Sequence, residues 1–332
     1  MTDSMMAVVL RRPGGPEALE FTVMPKPHAK PGWSVVEVKG FGVNHSEIFT
    51  RKGLSPSVRL PRVPGIECVG LVEQTSDAER LPIGRTVVSL MGGMGREFDG
   101  GYAQYVLLPN TQIHPVRTDL SWVDLAAVPE TYYTAYQSML ALDIQAGDVV
   151  LVRAGAGGVG VAFCRLVKAR LSDSTLVAST RHMDKAGRLM KAGFDRVIRD
   201  KDGHLVIGAD ERFDKVLELV GPATLRDSIA HTRRAGTVCS TGQLGGQWTL
   251  DDFDPIMDLR RQVRLTGCYS GDVDGRSVQG MFSYIERWQV PVSPERVFDL
   301  AHVQQAHEYV EHEQGFGKAV VLTNINDKGA AS

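Results

Sequence analysis

Little in this sequence points to a membrane, a nucleic acid or a metal. Cysteine is scarce: Cys68, Cys164, Cys239 and Cys268 lie far apart in apolar surroundings, and no Cys-x-x-Cys pair occurs. That pattern leaves no metal or redox pair and implies buried thiols in a reducing compartment. An excess of one charge is lacking too. The 37 basic and 39 acidic side chains leave a net charge of −2, without the basic footprint that nucleic acid or an anionic membrane requires. No apolar run approaches the roughly 20 residues that span a bilayer. The opening MTDSMMAVVLRRPGG lacks the basic-then-apolar order of a secretory signal, so a cytoplasmic location is expected. Regular structure is expected from Ala7, which makes Met5 or Met6 a candidate start. Internal repeats are absent, and the tail NDKGAAS is expected to be disordered.

What is present is an ordinary globular composition, 43% hydrophobic and 23% charged, in a chain of 332 residues that is long enough for two domains. The first 115 or so residues alternate short strand-like runs (MAVVL, LEFTV, WSVVEVKGFGV, ECVGLVEQ, TVVSLM, AQYVLL) with glycine- and proline-rich turns, which predicts an antiparallel β-barrel or sandwich. SWVDLAAVPETYYTAYQSMLALD then shows helical spacing interrupted by Pro129. From Asp148 the pattern becomes strand, helix, strand, and right-handed crossovers make that a doubly wound parallel sheet. AHVQQAHEYVEH and KAVVLT near the end are expected to return and complete the first domain. The division is therefore 1–119 with 270–332, and 120–269.

The most informative stretch is DVVLVRAGAGGVGVAFCRLVKAR. An apolar strand leads into Gly155, Gly157 and Gly160 in G-x-G-x-x-G spacing, and a helix follows from Gly158 and Val159. The first glycine permits a tight turn, the second lets a pyrophosphate approach the backbone, and the third lets helix and strand pack closely. The helix N-terminus offers free N–H groups to the anion. Where an NAD site carries an acid about 20 residues on, this chain has Ser179, Thr180 and Arg181, with Lys185 one turn beyond. Two hydroxyls and two cations suit a 2′-phosphate, so NADP(H) is the expected cofactor. Val220, Gly221, Gly242 and Gln243 follow parallel strands at the ends where ligands bind, and Tyr269 follows the last strand.

The chain resembles the medium-chain dehydrogenase/reductase superfamily, and within it the zinc-free quinone oxidoreductase (zeta-crystallin-like) group. GGPEALEF, GVNHSEIFTRKG, LPRVPGIECVGLVE, GGYAQYVLLP, AAVPETYYTAYQSM, AGAGGVG and GKAVVL carry the resemblance in order along nearly the whole chain. It implies a GroES-like β-barrel catalytic domain, completed by the C-terminal segment, and a Rossmann domain inserted in it. Zinc-dependent relatives have Cys at the position of Asn44 and His at that of Ile66, while Glu67 is retained. PETYYTAY lacks the third thiol, and MGGMGREFDGGY replaces the cysteine-rich lobe that holds structural zinc. His45, Glu47, Glu67 and Cys68 could form an unrelated site, but no metal is the expectation. His302, His307 and His312 are five residues apart, so each turns about 140° from the last, and solvated positions are expected.

The resemblance implies that Asn44 and Thr134 border the nicotinamide. Tyr133, or its neighbour Tyr132, is a candidate proton donor, with helix packing as the alternative. Phe49, Glu47 and Asp200 depart from residues frequent in the group, Asp200 standing where a Tyr near the adenine is common. The expected activity is NADPH-dependent hydride transfer to a quinone or an α,β-unsaturated carbonyl. The alternatives are an enoyl or alkenal reductase of a biosynthetic pathway, a low-turnover NADPH-binding redox sensor, and a zinc alcohol dehydrogenase with displaced ligands. A homodimer through the edge of the Rossmann sheet is implied by the resemblance.

Overall fold

The computed structural model describes residues 3–312, 315–324, 329 and 331. In chain order its first elements are β1 (Ser4–Leu10), β2 (Leu19–Pro25), β3 (Trp33–Val43), α1 (His45–Arg51), β4 (Glu67–Gln74), β5 (Thr86–Leu90), β6 (Tyr105–Pro109), β7 (His114–Pro115) and α2 (Trp122–Leu125). Next come α3 (Pro129–Leu142), β8 (Val149–Val152), α4 (Gly158–Arg170), β9 (Thr175–Thr180), α5 (Ala186–Ala192), β10 (Arg196–Lys201), β11 (His204–Leu205), β12 (Phe213–Glu218), α6 (Pro222–Ala230), β13 (Thr232–Ser240), α7 (Pro255–Asp258) and β14 (Arg264–Gly267). The chain closes with α8 (Gly275–Arg287), β15 (Arg296–Asp299), α9 (Val303–Glu311) and β16 (Ala319–Leu322). None of the described helices is long and apolar enough to cross a membrane.

Two compact units result: Met1–Thr131 with Gly271–Ser283 and Val292–Ser332, and Tyr132–Ser270 with Tyr284–Pro291. The first boundary falls twelve residues later than the sequence suggests (131 − 119 = 12). Pro129 opens α3 rather than breaking it, as proline does at a first helical position. The N–H of Glu130 then donates to Glu67 Oε2 at 2.8 Å, which ties that first turn to the first unit. Tyr284–Pro291 groups with the second unit because the Tyr284 hydroxyl donates to the Leu166 carbonyl at 3.0 Å.

In the first unit β15, β16, β3, β4, β5 and β7 form one sheet with β6 also on β3, and β1 pairs with β2 from Ser4 onward. Strand structure thus begins three residues before Ala7. The C-terminal β16 runs antiparallel to β3 with Ala319 opposite Val43, so residues from the two ends of the chain meet. Val8, Leu10, Leu19, Val38, Phe41 and Val106 form the centre of its core. Of the three histidines near the C-terminus, His302 and His312 are exposed as expected and His307 is not. His307 is fully buried beside Val303 and Ala306 on the inner face of α9, and its Nε2 bonds the Tyr102 hydroxyl at 2.9 Å. A polar imidazole is tolerated there because that hydroxyl partners it. Part of the tail is also ordered: Ala331 is buried, its N–H donates to the Leu120 carbonyl at 3.0 Å, and its carbonyl accepts from Thr86 Oγ1 at 2.8 Å. The rest of that tail, Gly329 apart, lies outside the described residues.

The second unit is a seven-stranded sheet in the order β11-β10-β9-β8-β12-β13-β14, parallel throughout except for β11. The central strand β8, VVLV, is a continuous apolar run, as strands buried on both faces are. Order reverses between β8 and β12, and ligands bind such sheets beyond the carboxyl ends at that point. Leu151, Val177, Phe213, Val216 and Val238 fill the core under it. Leu151→Ala should cost about 3 kcal/mol, read as a lower denaturation midpoint in urea.

Candidate active site

The glycine turn after β8 has the geometry its spacing implies. A Cβ on Gly155 would stand 2.8 Å from Ala178 Cβ, and one on Gly160 would stand 2.6 Å from the Gly155 carbonyl oxygen. These two glycines exist for close packing of turn, strand and helix. Gly157 is different: a Cβ there would meet only Ala154 O, at 3.8 Å, so that side of the turn is open to a ligand. Gly157 caps α4, whose first hydrogen bond runs from Val161 N to Gly157 O at 3.0 Å. The N–H groups of Gly158, Val159 and Gly160 precede that bond and have no intrahelical acceptor. A positive dipole end, free donors and an open glycine suit a pyrophosphate.

The turns after β12 and β13 close on each other. Gly221 takes φ of +92°, and a Cβ on it would stand 2.6 Å from Gly242 O; one on Gly242 would stand 2.1 Å from Leu219 O. Only glycine lets these backbones approach so closely. Val220, Gly221, Gly242 and Gln243 therefore lie together beside the switch point, while Tyr269 is 69% exposed beyond β14.

The two hydroxyls at the end of β9 also serve the local backbone. Ser179 Oγ accepts from the Ala154 N–H at 3.2 Å and holds the glycine turn to β9. Thr180 Oγ1 accepts from the His182 N–H at 3.1 Å, completing a local turn. Short hydroxyl side chains readily satisfy nearby backbone in this way. Arg181 is exposed and makes no ion pair among the described residues; Lys185 is half-buried.

Thr134 and Tyr133 belong to the second unit and Asn44 to the first. Tyr132 and Tyr133 are both buried on α3. The Tyr132 hydroxyl donates to the Pro291 carbonyl at 2.7 Å, so packing explains that ring. Tyr133 is likewise almost fully buried, at 1% exposed.

In the first unit Asn44 is the hub of a buried polar cluster. Its Oδ1 accepts from Lys318 Nζ at 2.6 Å, and its Nδ2 donates to Glu67 Oε1 at 2.8 Å and to Glu47 Oε1 at 3.4 Å. Lys318 Nζ also donates to Glu67 Oε1 at 2.7 Å, with side-chain exposures of 6% and 0%. Gly42 makes room for this pair, since a Cβ there would stand 2.1 Å from Lys318 Cε. Glu47 accepts from the Ile66 N–H at 3.1 Å, but its Oε2 has no partner. Burial, then the charge of Glu67, pushes the Glu47 carboxyl up to about 7. Burial likewise pushes the Cys68 thiol up to about 12, so it is no nucleophile at neutral pH. An ammonium and an amide thus occupy two of the positions around Glu67, and these donors do not fit a zinc ion, which needs about three N, S or O ligands with free lone pairs. No group of three or more His, Cys, Asp or Glu placed to hold a metal occurs among the described residues.

The alcohol dehydrogenase GroES-like domain model matches residues 30–118, and the zinc-binding dehydrogenase model matches 192–321. A probable quinone oxidoreductase of Schizosaccharomyces pombe is 26% identical over 97% of this chain and 98% of its own length. The chain belongs to the medium-chain dehydrogenase/reductase superfamily, in its quinone oxidoreductase group. Among solved members, the quinone oxidoreductase from Coxiella burnetii superposes with a TM-score of 0.82 at 24% identity, covering 97% of this chain and 100% of that one. A mycobacterial structure complexed with NADPH does so at 0.81 and 24%, covering 96% and 99%. The GroES-like domain and the Rossmann sheet expected of a medium-chain enzyme are both present.

Sequence reading missed Lys318, which entered only as part of GKAVVL, because its partner Glu67 is 251 residues away. The available signal was a lysine at the head of a fully apolar strand. Losing one partner of a buried pair strands the other charge. Lys318→Met is expected to lower stability by about 3–5 kcal/mol in chemical denaturation. Glu47 supplies a pH test. Its unfolded value lies near 4.5 and its folded value near 7, so between these the folded chain holds a proton the unfolded chain has released. Stability therefore falls as pH rises through that window. Relative to Glu47→Gln, the wild-type chain should lose roughly 3 kcal/mol between pH 4.5 and pH 8. Parallel pH profiles of the two proteins in urea would refute the burial of an unpaired carboxyl.

Proposed function

We propose that this oxidoreductase is zinc-independent and NADPH-dependent, reducing quinones or α,β-unsaturated carbonyls. The observation that carries the reading is the Lys318–Glu67–Asn44 cluster, whose ammonium and amide leave no zinc-type donor set around Glu67. The NADPH bound in the mycobacterial neighbour and the quinone oxidoreductase names of the relatives support it.

Bound NADPH would supply a hydride from its nicotinamide ring. The chain's own residues provide the rest. The N–H groups that open α4 bind the pyrophosphate, and the paired turns at Val220–Gly221 and Gly242–Gln243 shape the sheet's switch point. Arg181, which makes no ion pair among the described residues, is suited to a 2′-phosphate. Asn44 is held in one orientation by Lys318 and Glu67, so its amide is fixed before substrate arrives. An isolated ketone needs a Lewis acid or a well-placed proton donor to polarise it. A conjugated acceptor spreads the developing negative charge over its own π-system and so asks less polarisation of the site. Solvent can return the proton.

The test is a binding titration of NADPH against NADH, then cofactor consumption with a quinone panel and an enone panel. Consumption with quinones or enones is expected. Tight NADPH binding without turnover on either panel would favour a redox sensor instead. Arg181→Ala should weaken NADPH about tenfold, the effect of one charged hydrogen bond, and leave NADH nearly unchanged. Equal weakening of both would remove Arg181 from the phosphate site.

A further inference from the structure

A carboxylate stands in register with the end of β9 although β9 itself carries none. β10 runs parallel to β9 with Arg199 opposite Thr180, so Asp200 lies one step beyond, level with Arg181. A free carboxylate there would repel a 2′-phosphate bound by Arg181, and would accept from the hydroxyls of an unphosphorylated ribose. Asp200 is not free. Its Oδ2 accepts from Arg153 Nε at 2.9 Å, and both side chains are buried.

Arg153 is the residue before the glycine turn, and its guanidinium is held on every side. Nη1 donates to Asp227 Oδ2 at 2.7 Å and to Ser228 Oγ at 3.1 Å, and Nη2 donates to the Gly203 carbonyl at 2.8 Å. Ser228 passes its own proton to Glu218 Oε2 at 2.5 Å, and Glu218 Oε1 accepts the N–H groups of Val220 and Gly221 at 2.7 and 3.1 Å. A rigid planar cation with five donors can hold such a fork, whereas a lysine could not. Among the described residues Arg153 is the one cation in contact with Asp200.

We propose that Arg153 is a positioning residue that sets cofactor selectivity: by binding and neutralising Asp200 it keeps the end of β9 open to a 2′-phosphate. This rests on the NADPH reading above. The departure from the group's usual residue at position 200 is then compensated from within the glycine motif, by a residue two positions before Gly155.

The experiment measures dissociation constants for NADPH and NADH, by fluorescence quenching, on the wild type, Arg153→Gln, Asp200→Asn and the double variant. Arg153→Gln is expected to weaken NADPH at least about fivefold more than NADH, the effect of leaving the Asp200 charge unneutralised level with Arg181. The double variant, with no charge on either side chain, should return the NADPH-to-NADH ratio to the wild-type value. A merely structural role would weaken both cofactors together and leave the ratio unmoved, which would overturn the proposal. If Arg153→Gln does not fold, Asp200→Asn decides: an already neutralised Asp200 predicts an unchanged ratio, and a severalfold gain in NADPH preference overturns it. A wild type that does not prefer NADPH would defeat the underlying cofactor reading, a result distinct from either.

Discussion

Within the first unit one buried ammonium sets the terms for everything around it. The pairing of β16 with β3 carries Lys318 alongside Asn44, inside a sheet where no water can screen its charge. A cation so placed must find an anion, and Glu67 at the head of β4 provides it. Gly42 stays bare to admit the lysine, and Asn44 is clamped between the two charges. The cluster's other carboxyl, Glu47, is then left without a cation and held toward its protonated form. Oxygen atoms of Glu67 are also what the first turn of α3 caps itself against.

The second unit depends on a different constraint, the close approach of backbones. Its turns at Gly155–Gly160, Gly221 and Gly242 touch each other or the adjacent strands at distances no side chain permits. The hydroxyl of Ser179 and the carboxylate of Glu218 hold those turns by their N–H groups. The charges are buried beneath this layer around Arg153. A glycine-rich rim over a charged foundation combines room for a ligand with a fixed shape, since a fully satisfied buried network is rigid.

Where sequence reading worked, the signal was local. The alternation of apolar runs and helical periods from Val149 to Ser240 follows from neighbours in the chain, as does the role of each glycine in the motif. Pro129 was read as an interruption although proline also opens helices, and only the capping contact to Glu67 separates the two cases. The contacts of Ser179 and Thr180 with the Ala154 and His182 N–H groups carry no such local signal, because hydroxyls serve phosphates and nearby backbone equally well. His307 was counted as solvated because its spacing from His302 and His312 was considered, not its spacing from Val303 and Ala306 on the same buried face.

By itself the sequence determined the class of fold, the order of strands and helices, and the glycine turn after β8. Each of these is written in residue type and in spacings of a few residues. Tertiary structure alone decided which charges meet: Lys318 with Glu67 across 251 residues, and Arg153 with Asp200 across 47 and Asp227 across 74. The physical reason is that an ion pair depends on distance in space, and sheet pairing brings together residues whose separation along the chain carries no trace of it.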